Sequence, residues 1–467
     1  MRTVLALFAA ATALAVSVPA IAGETGPAGG GQPFSNQQPY QALTQTIQLQ
    51  GAFPPRNETE DDSAVAAFYL ASMRTFAFNF APRAYAQAQG QILPIAQNTA
   101  LFSLLGVQYG GNGQTTFALP DLRGRTIIGT GQGNGLSNRV IGEQDGQNSV
   151  TLTVAQMPAH SHAIDVAPGQ SGVTGGSQPF DNMQPSLAMT YMIATGGVFQ
   201  AGDPFIGQVG AFGANFAPTG WLPADGRLVE IDKFFALFNL IGTTFGGDGQ
   251  TTFALPDLRG RAVVGAGGQY QIGEVFGSES KVITLSQLAT HDHDGGAIDV
   301  SPAGGSQPID NRQPSLALNY YISLEGIFPS ADNGGPADSI PYLGEVVASA
   351  STLAPRGYAL AAGQVLSIAQ NQALFSLLGT TYGGNGQTTF ALPDLRGRIV
   401  EGWGGPVLFG ERGGSDTITL TEANLPIHTH SLPDVAPGVP EPASWAMMIA
   451  GFAMAGAAAR RRRVAFG

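Results

Sequence analysis

All six histidines of the chain fall in three His-x-His pairs: His160 with His162, His291 with His293, and His428 with His430. In an extended segment, residues i and i+2 point to the same side, so each pair presents two imidazoles together. If a threefold arrangement brings the pairs to one axis, six neutral imidazole nitrogens form an octahedral shell for a divalent transition metal. Iron, zinc and nickel all suit such a shell. Six nitrogens also fill it, which leaves no open position for substrate and makes the ion structural. The alternative is that the pairs are exposed or hydrogen-bonded loop residues. Asp292, inside the second pair, is expected to point away, to solvent or as a partner of a ligand.

Other chemistry is poorly served. There is no cysteine, and every histidine is committed to a pair. No Gly-x-Ser-x-Gly elbow occurs, so no nucleophile has a base. Asp121, Arg123 and Arg125 recur as Asp257, Arg259 and Arg261 and as Asp394, Arg396 and Arg398. Pro-Asp starts a turn, Gly permits the bend and Arg bridges carboxylates or carbonyls, so these triplets read as structural turns. The Gly-Gly-x-Gly loops do not link a strand to a helix as a phosphate cradle does, and no Lys-Ser/Thr follows.

The elements that must position the histidines come in three copies. The 17-residue stretch from Tyr109 to Arg125 returns as Phe245 to Arg261 and Tyr382 to Arg398, and Phe117, Phe253 and Phe390 lie 136 and 137 residues apart. That spacing is one modest domain each. Before each copy, helical spacing of Leu and Phe predicts a short helix over Ala96 to Leu105, Ile231 to Leu240 and Ala369 to Leu378. After each copy come a Gly-rich loop, a Val/Ile-Thr-Leu strand and the histidine pair. A further element, Asp181 to Ile193 and Asp310 to Ile322, follows the first two pairs. The third pair has no such sequel, but Ser35 to Ile47 matches it. Residues 35–54 are therefore expected to pack on the 340–433 unit and close a ring, which leaves no unpaired edge. The expected divisions are 1–22, 35–54, 67–200, 203–330, 340–433 and 439–463.

The ends read differently. Arg2, the apolar run from Val4 to Val18 and Ala20-Ile21-Ala22 make residues 1–22 a secretory signal. Near the other end, Pro440-Glu441-Pro442 and Trp445 precede an apolar run from Ala443 to Ala459 and then Arg460, Arg461, Arg462 and Arg463. About 17 apolar residues just span a bilayer, with the arginines cytoplasmic. Between the ends lie 16 basic against 32 acidic residues. Such a surface repels phosphate backbones, so no nucleic-acid partner is expected. The 65 glycines and 31 prolines predict a turn-rich, mainly β protein with short helices.

Two family resemblances follow from these residues. The tail, in the order Pro-Glu-Pro, Trp, apolar run, Arg cluster, resembles the PEP-CTERM sorting signal. That resemblance implies a Gram-negative bacterium, an exosortase as processing partner, a transient inner-membrane anchor, and delivery to the cell surface or extracellular matrix. Gly110 to Arg125 and its copies, with Pro94-Ile-Ala-Gln-Asn98 upstream and Met157-Pro-Ala-His-Ser-His162 downstream, resemble the phage tail collar domain. This second resemblance implies trimers in which His-x-His pairs enclose an axial metal, here fused as an intramolecular pseudo-trimer of three tandem domains. Repeat two departs from the pattern at Leu288-Ala-Thr-His291, which lacks the proline, and repeat one departs around Ala84 to Gly90. The expected function is a non-enzymatic structural or adhesive surface protein. The alternatives are a tail-fibre-like module binding a receptor, glycan or surface polysaccharide, and a metal-dependent hydrolase.

Overall fold

The computed structural model describes residues 23–56, 66–165, 169–197, 204–296, 298–330 and 340–433. The segments read as signal and sorting tail lie outside them. Among the described residues the protein is mainly β, with three α-helices of seven residues each, and no helix is long and apolar enough to cross a membrane.

Each repeat contributes three kinds of strand to one β-barrel. The long strands are Tyr40–Gln48, Ser186–Ala194 and Ser315–Ser323. The short strands are Thr126–Gly129, Ala262–Gly265 and Ile399–Gly402. The return strands are Met73–Phe76, Gln208–Phe212 and Glu345–Ser349. Ser186–Ala194 runs parallel to Thr126–Gly129 and then antiparallel to the next return strand, Gln208–Phe212. Ser315–Ser323 repeats this with Ala262–Gly265 and Glu345–Ser349. Tyr40–Gln48 does the same with Ile399–Gly402 and Met73–Phe76, so the strand nearest the N-terminus sits beside the short strand nearest the C-terminus. The return strands pair among themselves through Val209 with Ala348, Val346 with Thr75, and Ser72 with Phe212.

The short strands meet at their glycines. Gly260 N donates to Gly129 O at 2.8 Å, Gly397 N to Gly265 O at 2.8 Å, and Gly124 N to Gly402 O at 2.7 Å. A β-carbon on Gly129, Gly265 or Gly402 would overlap the carbonyl oxygen of Leu258, Leu395 or Leu122 respectively. Each Asp-Leu-Arg-Gly-Arg turn thus lies against the glycine of another repeat.

The helices are Thr99–Leu105, Phe235–Ile241 and Gln372–Leu378, shorter at their starts than the Leu/Phe spacing predicts. In repeats one and three the missing turn is a separate 3-10 turn, Ile95–Gln97 and Ile368–Gln370. Asn98 and Asn371 interrupt the helical path, their side chains donating to the carbonyls of Pro94 and Ser367 at 3.1 and 3.0 Å. Side-chain amides that bond to nearby backbone compete with the helix in this way. The Gly-Gly-Asn-Gly loops are closed internally: Asn112 Oδ1 accepts from the backbone N–H groups of Gln114, Thr115 and Thr116 at 2.9 to 3.0 Å. Asp248 and Asn385 play the same part in the other copies.

At the barrel's centre, Ala42, Ala188 and Ala317 face Glu401, Ile128 and Val264, their partners in register. Glu401 is 4% exposed, and burial, with the charge of Glu411 adding to it, pushes its carboxyl up to about 8.

Gly129→Ala should destabilise the fold by about 1–3 kcal/mol through overpacking against Leu258. Gly210→Ala, whose β-carbon meets only ordinary contacts at 3.6 Å, should not; denaturant midpoints compare them. For Glu401, both folded and unfolded states are protonated below about pH 4.5. As pH rises from there, only the unfolded state ionises, so stability falls until about pH 8, by roughly 1.4 kcal/mol per unit of upward shift. Thermal melts of Glu401→Gln should therefore show a gain over the native chain at pH 8 that vanishes near pH 4.

Candidate metal centre

Three equivalent segments carry the histidine pairs, each anchored in a shared apolar layer. That layer comprises Phe34, Phe180 and Ile309, with Val150, Leu152, Met157, Ile283, Leu288, Leu420 and Leu425. Phe34–Ser35 pairs with Ser149–Val150, Phe180–Asp181 with Ser280–Lys281, and Ile309–Asp310 with Thr417–Ile418, so each repeat's layer is finished by residues from elsewhere in the chain. A short turn then leads to each pair. It is fixed by Thr153 with Gln156, Thr284 with Gln287 and Thr421 with Asn424.

The pairs do not lie in regular strands. His160, His291 and His428 form single bridges to Thr174, Ala303 and Ala28. All six rings are nonetheless brought together, with centroids of neighbouring rings 4.7 to 5.5 Å apart. All six histidines are buried, whereas Asp292 is exposed.

Every Nδ1 is engaged by a backbone carbonyl. Within their own segments, His160, His291 and His428 bond to Pro158, Ala289 and Pro426 at 3.0, 2.9 and 2.9 Å. Across the repeats, His162, His293 and His430 bond to Ser301, Gly26 and Gly172 at 2.8, 2.7 and 2.8 Å. A carbonyl only accepts, so each neutral ring carries its proton on Nδ1 and leaves Nε2 as a bare lone pair. The missing proline of repeat two is immaterial here, because Ala289 supplies the same carbonyl.

The lone pairs face one another. His160 Nε2 lies 3.2 Å from His291 Nε2, which lies 3.1 Å from His428 Nε2. The Nε2 atoms of His162, His293 and His430 are buried without a hydrogen-bond partner. Two acceptors in contact repel, unless a cation stands between them. An octahedron's edge is √2 times its centre-to-vertex distance, so these two edges of 3.1–3.2 Å are close to those of a shell built on the ~2.0–2.1 Å zinc–imidazole bond. The donor set therefore fits a metal, and ligand atoms in two overlapping groups of four histidines lie within 4.8 Å of one another. Burial, with mutual repulsion among the rings, holds His160 and His162 below the usual range, His291 down to about 3, and His428 and His430 to about 4, which keeps them in the neutral, ligating form.

The three Asp/Arg triplets do not approach this centre as a reactive group. Asp121 with Arg123, Asp257 with Arg259, and Asp394 with Arg396 form paired contacts of 2.9 to 3.0 Å within their own turns. Arg125 and Arg261 reach the same carboxylates at 3.7 and 3.4 Å. The backbone of Arg398 accepts from Gly265 N at 2.9 Å.

Residues 71–127, 207–263 and 344–400 match the Phage Tail Collar Domain, and residues 438–463 match the PEP-CTERM protein-sorting motif. The chain carries three tandem collar domains and a sorting signal. No curated protein and no solved structure gives a match. The matched collar segments run from the return strand to the short strand, so the long strands and the histidine pairs lie beyond them. The sorting motif includes Pro440, Glu441, Pro442, Trp445 and Arg460 to Arg463, which are outside the described residues, and it implies export in a Gram-negative exosortase system.

One contributor to the centre escapes the repeat pattern read from Ser35 onward. The N-terminal contribution begins at Glu24, which bridges to Ser431, and Gly26 supplies the acceptor for His293. The signal for it is Gly30-Gly31-Gln32-Pro33, which matches Gly176-Ser177-Gln178-Pro179 and Gly305-Ser306-Gln307-Pro308.

Replacing both His428 and His430 with alanine should abolish metal binding and lower the melting temperature. The loss should equal that produced by stripping the native protein with a chelator, about 4 kcal/mol where metal is present at a thousandfold its Kd. Calorimetry with and without metal checks this, and a stripped native protein of undiminished stability would refute it.

Proposed function

We propose that this chain is an exported, non-enzymatic protein of the cell surface or extracellular matrix, whose three collar domains form a pseudo-trimer closed by its own N-terminus and pinned by one six-histidine metal ion. The observation that carries this reading is the division of labour in the imidazoles: six Nδ1 atoms bound to carbonyls and six Nε2 atoms turned inward. Six nitrogen donors saturate an octahedral ion and leave it no position for water or substrate, so the ion contributes cohesion rather than Lewis-acid chemistry. The ion joins residues from all three repeats, as a structural zinc joins distant ligands.

Ring closure rests on the N-terminal residues doing for repeat three what Ser186–Ala194 does for repeat one. Residues 35–54 are the third domain's missing element in this reading, and the pairing of Tyr40 with Ile399 and the bridges of Glu24 to Ser431 and Ala28 to His428 support it. The sorting motif and the collar domains support a structural role at the surface, with an exosortase as processing partner. Iron(II), nickel(II) and zinc fit a six-nitrogen shell, and elemental analysis of the purified protein identifies which it is, with one ion per chain expected.

Deleting residues 35–54 exposes the edges of Ile399–Gly402 and Met73–Phe76. Hydrogen exchange should accelerate there first, while Ala262–Gly265 and Ser315–Ser323 keep their protection. Uniform loss, or none, would argue against ring closure.

A further inference from the structure

Each long strand is preceded by a shared Asn-x-Gln-Pro pattern, with the asparagine three residues and the glutamine one residue before the proline: Asn36 and Gln38, Asn182 and Gln184, Asn311 and Gln313. All six side chains are at most 4% exposed. The glutamines form a closed ring. Gln38 N donates to Gln184 Oε1 at 3.0 Å, Gln184 N to Gln313 Oε1 at 3.3 Å, and Gln313 N to Gln38 Oε1 at 3.1 Å. The asparagines form a second ring in the same donor-to-acceptor order, with Asn36, Asn182 and Asn311 donating through Nδ2 to the carbonyls of Met183, Arg312 and Gln37 at 2.9, 2.9 and 3.0 Å.

These bonds settle the orientation of every amide. Each glutamine oxygen accepts a backbone N–H, so its other terminal atom is the amino group. The Nε2 atoms of Gln38, Gln184 and Gln313 are buried and have no partner, and neither do the Oδ1 atoms of the three asparagines. Buried donors are costly when left bare, and a set of three in one closed ring calls for a shared acceptor.

We propose that Gln38, Gln184 and Gln313 form an anion site that holds one halide-sized ion through their three Nε2 amino groups. A spherical anion accepts from all three at once. A single water accepts two hydrogen bonds at most and must place its own two hydrogens, so it leaves one amino group bare. The three donors are neutral amides, so they hold the ion through their dipoles. The site is distinct from the histidine centre, which presents acceptors and takes a cation.

Crystals of the purified protein grown in sodium bromide test this directly. Anomalous diffraction should show one bromide within hydrogen-bonding distance of all three Nε2 atoms. Water molecules bridging each glutamine amino group to an asparagine Oδ1, with no bromide, would overturn the site. In solution, the native protein should melt several degrees higher in chloride or bromide than in gluconate at equal ionic strength, and no difference would count against the proposal. Gln184→Met removes one donor at similar volume and should abolish the halide dependence, while a variant that keeps it refutes the assignment. Should that variant fail to fold, the bromide diffraction and halide titration of the native chain decide.

Discussion

The structure depends on strand exchange around a closed circuit. Every long strand pairs with one short strand and with the return strand of the following unit, so no unit completes its own share of the barrel. An open version would present two unpaired edges, which are sites for aggregation. The chain closes the circuit by using its N-terminal segment for the last position, and the same segment supplies Ala28 and Gly26 to the histidine end and Gln38 to the glutamine ring. A single topological requirement therefore reaches the barrel, the candidate metal centre and the buried amides together.

The carbonyl-to-Nδ1 bonds show how that circuit reaches the imidazoles. One histidine of each pair is held by its own segment and the other by a carbonyl from a different repeat. The cross-repeat bonds set the ring tautomer, so the repeats' assembly fixes which nitrogen each ring would offer a metal, as outer hydrogen bonds commonly orient metal-bound histidines. Separating the repeats would release those three rings at once.

Much of this was legible in the residues. Paired histidines at i and i+2 in three copies point to a shared site, and Ser35 to Ile47 is recognisable as a displaced copy because its Tyr, Leu and Ile pattern must be covered. What escaped detection is carried by backbone. The Nδ1 acceptors are carbonyls, which any residue provides, and Ala289 replacing proline shows why side-chain identity is a poor guide there. The short glycine-rich entry at residues 24–34 has little apolar periodicity, so its role as a bridge partner is set by tertiary pairing alone. The Asn-x-Gln-Pro pattern is visible in the sequence, but the closure of three glutamines into one ring requires the circuit to be formed.

Joining three copies in one chain permits what identical subunits cannot have. On the axis of a homotrimer any residue appears three times, and three carboxyls at the place of Glu401 would each have to stay protonated or repel. Here the positions equivalent to Glu401 in the other two repeats are Ile128 and Val264, so one buried acid is tolerated, its proton retained to about 8. Likewise Arg74 of one return strand pairs with Glu345 of another at 2.6 Å, while the positions corresponding to Arg74 on the other two return strands are Gly210 and Val347. Removing one member of a buried pair strands a charge, so this contact disfavours any neighbour but the right one for each strand. The symmetric features hold the three repeats together, whereas these unsymmetric ones give each repeat a fixed place in the ring.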